Sequence, residues 1–313
     1  MADFSLRLET AIRRCRTPSL VGLDPRWDWL PDEIKTRKQA QYSDILQAKA
    51  SAYEEFCLRI IDIVAAWVPA IKPQAAFFEA CGPAGSWALH RVMLAARQRG
   101  LIVICDAKRG DIGSTAEAYA QAYLAGEDPA CAPWPADALT VNPFLGPDTL
   151  QPFLDTAHQR GGGVFILVRT SNPAAHEYQD HRAESGTLSE RIAQDVERWA
   201  EQTAHRRRYG CVGGVVGATY PAELSALRQL MPHAWLLLPG YGSQGGTAAD
   251  VATAFDEFGL GALVNNARGI NFAWRVDPWK DRFSPAEWEQ AVEAATRHMV
   301  AELARVTPGL NRQ

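Results

Sequence analysis

Short, continuous runs of apolar residues recur along the chain, and longer amphipathic or polar stretches separate them. Short apolar runs are typical of strands that are buried on both faces of a parallel sheet. Eight such runs are present, at Ser19–Leu23, Pro69–Ile71, Leu101–Cys105, Ala138–Val141, Val164–Val168, Val212–Val216, Trp235–Leu238 and Gly261–Val264. The pattern therefore predicts eight parallel strands covered by helices.

The stretches between the runs have the periodicity of amphipathic helices. Residues 188–204 form one predicted helix, with Glu and Arg on its outer face. The last predicted helix begins at a capping box, Ser284-Pro-Ala-Glu287, with Pro at the first helical position. A further apolar stripe joins Tyr53, Phe56, Ile60, Ile63, Val64 and Trp67. Eight strands alternating with helices favour a (β/α)8 barrel over a doubly wound sheet.

Polar residues follow every one of the eight apolar runs. A barrel builds its active site from the C-terminal ends of all its strands, whereas a doubly wound sheet gathers such residues at one switch point. The distribution along this chain therefore supports the barrel. In chain order, the polar groups are Asp24, Lys72, Asp106 with Lys108, Asn142, residues 169–172, Thr219, the glycine-rich segment 239–246 and residues 265–268.

No linker, internal repeat or low-complexity segment divides the 313 residues. We therefore predict one barrel domain over residues 1–313. The length beyond a typical barrel lies in an insertion after the first strand (25–49), another after the fifth strand (173–187) and a helical extension after Asn271.

The net charge, the N-terminal segment and the cysteine and histidine spacing argue against several classes of protein. The formal net charge of −4 predicts no nucleic-acid or membrane partner. The charged N-terminal segment does not resemble a secretory signal. Six cysteines without a Cys-x-x-Cys pair are typical of reduced thiols in the cytoplasm, and the seven histidines lack zinc-ligand spacing.

Lysine is scarce in this chain, with six residues among 32 basic ones, so a lysine in an apolar segment is informative. Lys72 and Lys108 are both in such segments. Residues two apart on a strand point to the same side, so Asp106 and Lys108 are predicted to face the barrel mouth together. A neighbouring carboxylate keeps such a lysine protonated, which makes it an acid rather than a Schiff-base nucleophile.

The glycine-rich segment 239–246 and Arg268 follow the seventh and eighth strands, where many barrels bind phosphate. We expect backbone N–H groups of this segment and the Arg268 guanidinium to hold an anion.

At residues 106–115 the sequence Asp-Ala-Lys-Arg-Gly-Asp-Ile-Gly-Ser-Thr resembles the orotidine 5′-phosphate decarboxylase family, in particular its longer bacterial form. The resemblance implies a cofactor-free (β/α)8 homodimer that binds no metal and makes UMP and CO2 from orotidine monophosphate. It extends over segments 22–25, 72–79, 141–148, 170–173, 238–246 and 266–269.

The resemblance also implies catalytic roles. Lys108 would protonate C6 of the pyrimidine, with Asp106 against the departing carboxylate. Lys72 would neutralise Asp106 and bind the ribose hydroxyls together with Asp24. Asp111 would complete the active site of the partner subunit.

The remaining implied roles concern substrate binding. Thr115 would, like Asp111, belong to the partner's site, and Ser171 would read the pyrimidine edge. Gln244, next to Gly245, would bridge base and phosphate, and Arg268 would hold the phosphate. Residues 174–187 receive no role.

Two other functions remain open at this point. A sugar-phosphate lyase or decarboxylase of the same superfamily shares the Asp-x-Lys-x-x-Asp pattern but uses Mg²⁺; Arg109-Gly110 and the segments around Ser171 and Gln244 argue against it. A non-enzymatic nucleotide-binding barrel is expected to have lost part of the charged set, which is complete here. We expect no fused phosphoribosyltransferase domain, because none fits in the chain.

Overall fold

In the computed structural model, which describes residues 3–184, 186–204, 207–242 and 245–311, eight parallel strands close into a barrel. The predicted (β/α)8 fold is therefore confirmed. The barrel strands, in their order around the barrel, are β1 (Ser19–Leu23), β2 (Ala70–Pro73), β3 (Ile102–Arg109), β4 (Ala138–Val141), β5 (Gly163–Arg169), β8 (Val212–Val216), β9 (Trp235–Leu238) and β10 (Ala262–Asn266).

Four barrel strands run further at their C-terminal ends than their apolar runs predict. β2 continues through Lys72, β3 through Asp106 and Lys108, β5 through Arg169, and β10 through Asn265. Parallel pairing uses the backbone and is indifferent to side-chain polarity, so Gly22 still pairs with Lys72 in register. The strands themselves therefore hold the polar residues that the sequence places after them.

Helices surround the barrel, and none of those in the described ranges is long and apolar enough to cross a membrane. The helix predicted at 188–204 is confirmed, whereas the apolar stripe predicted to reach Trp67 lies on a helix that ends at Val64. The helices are α1 (Phe4–Cys15), α2 (Asp32–Gln41), α3 (Ile45–Val64), α4 (Ala75–Glu79), α5 (Gly82–Gln98), α6 (Gly113–Tyr123), α7 (Pro147–Arg160), α8 (Ala175–Gln179), α9 (Leu188–Ala204), α10 (Pro221–Leu230), α11 (Ala248–Val251), α12 (Arg268–Asn271) and α13 (Trp288–Ala304).

The three additional segments take up structure of their own. The insertion after β1 carries α2, and the insertion after β5 carries α8 and an antiparallel ribbon, β6 (Arg182–Ala183) with β7 (Gly186–Thr187). The C-terminal extension starts α13 at the predicted capping box of Ser284 and Glu287, after one 3-10 turn. Its Trp288 packs on Phe56 of α3 at a ring-centroid distance of 5.2 Å.

Helix α1 closes the N-terminal end of the barrel. Phe4 packs edge-on against Phe165 of β5, with ring centroids 5.9 Å apart. The Ser5 hydroxyl donates to the Tyr209 carbonyl at 2.7 Å and accepts from the Trp235 indole at 2.9 Å. Because this end is packed, the strand ends that carry the polar residues form the open end of the barrel.

Candidate active site

Asp106 of β3 is the centre of a hydrogen-bonded cluster at the open end of the barrel. Its Oδ2 accepts from Lys72 Nζ at 2.5 Å and from Gln74 Nε2 at 3.0 Å. Its Oδ1 accepts from Lys108 Nζ at 2.6 Å and from the Thr140 hydroxyl at 2.9 Å. Three adjacent strands and the residue after β2 thus fix both oxygens of one carboxylate. The predicted proximity of Asp106 and Lys108 is confirmed.

The two lysines keep the Asp106 carboxylate ionised in spite of its burial. Burial acts to raise the pKa of Asp106, but the charges of Lys72 and Lys108 outweigh it and hold that pKa well below its usual range. Burial also acts to lower the pKa of Lys72, and the charges of Asp106 and Asp24 reverse this, so the ammonium is retained. Asp106 and Lys72 therefore form a buried pair of opposite charges at neutral pH.

Lys108 reaches Asp106 through an irregular backbone, not through regular strand alternation. Its φ is +48°, and the register of β3 against β4 shifts between Cys105 and Arg109. Its amide donates to the Thr140 hydroxyl at 3.0 Å, which holds the bulge in place. A positive φ costs a non-glycine residue about 1 kcal/mol or more. The Lys108 side chain is 44% exposed, whereas the Lys72 side chain is 5% exposed.

Asp24 follows β1 and lines a cavity whose wall also includes Lys72 and Asp106. Asn271 holds the chain there: its Oδ1 accepts from the Asp24 amide at 2.9 Å and its Nδ2 donates to the Gly22 carbonyl at 2.7 Å. Asp24 Oδ1 is buried without a hydrogen-bond partner in the described residues. Burial raises the pKa of Asp24, and Lys72 only partly opposes the shift. An acceptor of this kind suits a hydroxyl-bearing ligand.

Arg268 lines the same cavity, together with Pro239, Gly240 and Tyr241 of the segment that follows β9. Its guanidinium lies 6.0 Å from the Trp29 ring, and its buried Nε has no partner in the described part of the chain. In the glycine-rich segment, the amides of Gly242, Gly245 and Gly246 donate to carbonyls of the segment itself. The prediction that backbone N–H groups of this segment hold an anion is therefore wrong for these three amides, and Arg268 is a charged donor in the wall of the same cavity.

A cavity of about 210 Å³ joins these groups. The cluster and its walls hold four cationic side chains against two carboxylates, so the site has two surplus positive charges and suits a multiply charged anion. The charged residues are Arg26, Lys72, Lys108 and Arg268 with Asp24 and Asp106.

Comparisons with known proteins identify the family of this chain. The orotidine 5′-phosphate decarboxylase / HUMPS family model matches residues 20–273. A curated orotidine 5′-phosphate decarboxylase of Rhodopirellula baltica is 46% identical over 97% of this chain and 99% of its own. The relative of that name from Deinococcus radiodurans is 43% identical over 84% and 86%. The chain belongs to the orotidine 5′-phosphate decarboxylase family.

A solved structure extends the agreement to the fold of this decarboxylase family. The OMP decarboxylase of Leishmania donovani superimposes with a TM-score of 0.73 at 31% identity, covering 97% of this chain and 98% of its own. The predicted family resemblance is therefore confirmed.

The other described residues singled out in the sequence make no hydrogen bond to the Asp106 carboxylate. Asp111 accepts from the amide of Ile112, and neither it nor the exposed Thr115 lines the cavity of its own chain. Ser171 follows β5 at the mouth, and Gly245 is exposed in the segment after β9. Gln244 lies outside the described residues.

Sequence reasoning left three members of the site without a role. Gln74 and Thr140 each bond the Asp106 carboxylate, and Asn271 fixes the backbone around Asp24. Thr140 had a signal, since it is the one hydroxyl in the apolar run 138–141. Asn271 had none, because its contact spans 247 positions of sequence.

Proposed function

We propose that this chain is an orotidine 5′-phosphate decarboxylase of de novo pyrimidine biosynthesis, converting orotidine monophosphate to UMP and CO2. The observation that carries the proposal is the Asp106 carboxylate fixed between Lys72 and Lys108 in a cavity that Arg268 also lines. Family membership as a carboxy-lyase supports the same reaction.

In the proposed reaction, the bond between C6 and the carboxylate carbon breaks, CO2 leaves, and the electron pair stays on C6. The pyrimidine offers no delocalising sink for that pair, so the charge is stabilised electrostatically by the Lys108 ammonium. Lys108 then transfers a proton to C6, and its amine regains a proton from solvent. The sum is orotidine monophosphate plus one proton giving UMP plus CO2, which balances without a cofactor.

Asp106 has a second proposed part in the reaction. Its oxygens are saturated by four donors, so it cannot move away from a substrate carboxylate placed beside it. Repulsion between the two carboxylates is relieved when CO2 leaves. The positive charge of Lys72 offsets part of the negative charge of Asp106 and so limits this repulsion while the substrate is bound.

Binding of the rest of the nucleotide is assigned to the cavity walls. Asp24 and Lys72 take the ribose hydroxyls, and Arg268 holds the phosphate. Ser171 reads the pyrimidine edge, and Gln244 with Gly245 joins base and phosphate. Binding energy from the phosphate then supports the chemistry at C6.

We further propose that one barrel domain works as a two-fold dimer in the cytoplasm, with Asp111 and Thr115 completing the partner's site. Asp111 does not line the cavity of its own chain, and two large apolar side chains are exposed in its loop and in the loop after β4: Ile112 is 63% exposed and Phe144 83%. Gly110 packs against the Asn142 carbonyl, which joins their two loops into one surface. Exposed apolar side chains of this size favour burial against a second copy. The cysteines of the chain are free thiols, as expected for the cytoplasm.

The test is the loss of orotidine monophosphate absorbance with the purified protein, run with and without EDTA. We expect full turnover in both arms. Turnover that EDTA abolishes, or turnover of a sugar phosphate in place of the nucleotide, would favour the Mg²⁺-dependent lyase. Binding of UMP without turnover would favour a non-enzymatic nucleotide-binding barrel.

A further inference from the structure

We propose that Gln179, in the insertion after β5, is a positioning residue that sets the pyrimidine-reading Ser171 in place. The inference rests on the proposed function and gives the insertion at 173–187 a role in substrate recognition. It follows from the hydrogen bonds that tie α8 to the end of β5.

The side-chain amide of Gln179 makes two hydrogen bonds to Thr170, the residue directly before Ser171. Its Oε1 accepts from the Thr170 backbone amide at 2.8 Å, and its Nε2 donates to the Thr170 hydroxyl at 2.8 Å. The backbone N–H can only donate, so it determines which side-chain atom of Gln179 is the oxygen. The Thr170 hydroxyl in turn donates a hydrogen bond to Asn172 Oδ1 at 2.6 Å. Residues on both sides of Ser171 are thereby held in one network.

A buried arginine anchors the same helix independently. Arg169, whose side chain is 4% exposed, donates through Nη2 to Asp180 at 3.1 Å and through Nε to Glu223 at 2.8 Å. Its guanidinium lies 5.1 Å from the Tyr220 ring. Because Asp180 directly follows α8, this pair fixes the helix end that presents Gln179, and Arg169 itself precedes Thr170.

The position of Ser171 leaves little freedom on its inner side. A Cβ on Gly217 would lie 3.1 Å from both Cα and Cβ of Ser171, and the Gly217 amide donates to the Arg169 carbonyl at 2.7 Å. The Ser171 hydroxyl makes no hydrogen bond to other described residues, so it is available to a ligand. Ser171 is therefore confined by Gly217 on one side and by the Gln179 network on the other.

A double-mutant cycle with Gln179→Ala and Ser171→Ala tests the inference. If Gln179 acts through Ser171, Gln179→Ala lowers kcat/KM for orotidine monophosphate about 10-fold, as expected for lost hydrogen bonds. The double variant then loses no more than Ser171→Ala alone, since the two changes remove one interaction.

Ligand binding separates positioning from general stability. Gln179→Ala is expected to weaken UMP about 10-fold and to leave the Kd of ribose 5-phosphate, which has no base, within about 2-fold. Gln179→Glu, which retains one acceptor for the Thr170 amide, supplies a second variant with a smaller loss. The matched control is Glu177→Ala, because Glu177 is exposed on the same helix and its side chain makes no bond to other described residues.

Each other result overturns the inference. Equal weakening of UMP and ribose 5-phosphate would mean that Gln179 supports only the fold. Additive losses in the double variant would mean that it acts independently of Ser171. A wild-type protein inactive on orotidine monophosphate would overturn the proposed function itself, which is a distinct outcome because it precedes any comparison of variants.

Discussion

The charged residues of the site differ in how completely the protein satisfies them. The Asp106 carboxylate has four donors, whereas Asp24 and Arg268 each keep a buried polar atom without a partner in the described residues. A carboxylate with four donors has a fixed position and suits an electrostatic role in the reaction, whereas buried polar atoms without a partner suit ligand binding. Single substitutions should therefore separate chemistry from binding.

Lys108→Ala is expected to lower kcat by at least about 10³-fold and to leave UMP binding within several-fold. The ammonium lies 2.6 Å from Asp106 and its side chain is 44% exposed, so its loss affects proton delivery more than packing. Steady-state turnover and UMP titration measure the two effects. Lys280→Ala, at a lysine paired with Asp277 on the surface, is the control. Near-normal turnover by Lys108→Ala would assign the proton donor elsewhere.

Arg268→Ala is expected to raise KM and to reduce kcat/KM for orotidine monophosphate by about 10- to 100-fold, the effect of losing a charge-assisted contact. Orotidine, which lacks the phosphate, should lose less than about 3-fold. Arg275→Ala is the control, because its Nε donates to the Trp29 carbonyl on the exposed surface. Equal losses on both substrates would remove Arg268 from the phosphate site.

Asp24→Asn should weaken catalysis and stabilise the ligand-free protein at pH 7. Burial raises the folded-state pKa of Asp24 above 3.8, so its favourable contribution exists at acidic pH and is lost as pH rises through the folded pKa. The side-chain amide of the Asp24→Asn variant carries no charge at any of these pH values, so the free energy of unfolding of the variant does not fall in this way as pH rises. We expect Tm to rise by about 2 °C at pH 7 and the difference to shrink as pH falls toward 3.8.

Thermal unfolding across this pH range, together with kcat/KM, checks both halves of the Asp24 prediction. Asp28→Asn is the control, because Asp28 is exposed nearby. A less stable Asp24→Asn protein at pH 7 would show that the ionised carboxylate is favourable in the empty site.

The elements divide the work between the two ends of the barrel. α1 fills the N-terminal end with Phe4 and Leu8, whereas the extended ends of β2, β3 and β10 carry the charged and polar residues at the other. Stability and chemistry are thus assigned to different elements, as is usual for this architecture.

Phe4→Ala tests this division. Phe4 is 1% exposed and packs on Phe165, so its truncation should lower the free energy of unfolding by about 3 to 5 kcal/mol. At temperatures where the variant stays folded, kcat should match that of the wild type. Leu6→Ala, at an exposed position of α1, is the control. Urea unfolding and turnover at 25 °C are measured together; a fall in kcat of the folded variant would link α1 to the site.

At the scale of the whole molecule, the shared-site dimer makes a sharp prediction for mixed subunits. Inactive Lys108→Ala and inactive Asp111→Ala proteins, mixed so that subunits exchange, form half their dimers as hybrids. One site of each hybrid lacks both residues and the other has both, so about a quarter of wild-type activity should return. Either variant subjected alone to the same exchange is the control. No recovery would place Asp111 in its own chain's site.

The barrel and the charged centre around Asp106 could be predicted from local patterns in the sequence. Eight apolar runs and the polar residues behind them are local patterns, and the spacing of Asp106 and Lys108 predicted their proximity. The hydrogen bonds that hold this centre in place could not be predicted in the same way. Lys108 at φ +48°, Thr140 on Asp106, and Asn271 beside Asp24 depend on contacts across 32 to 247 positions, for which single-sequence periodicity carries no signal. The contact between Gln179 and Thr170 could not be predicted from their spacing either. It forms because α8 lies against the end of β5, where Arg169 and Asp180 make an ion pair.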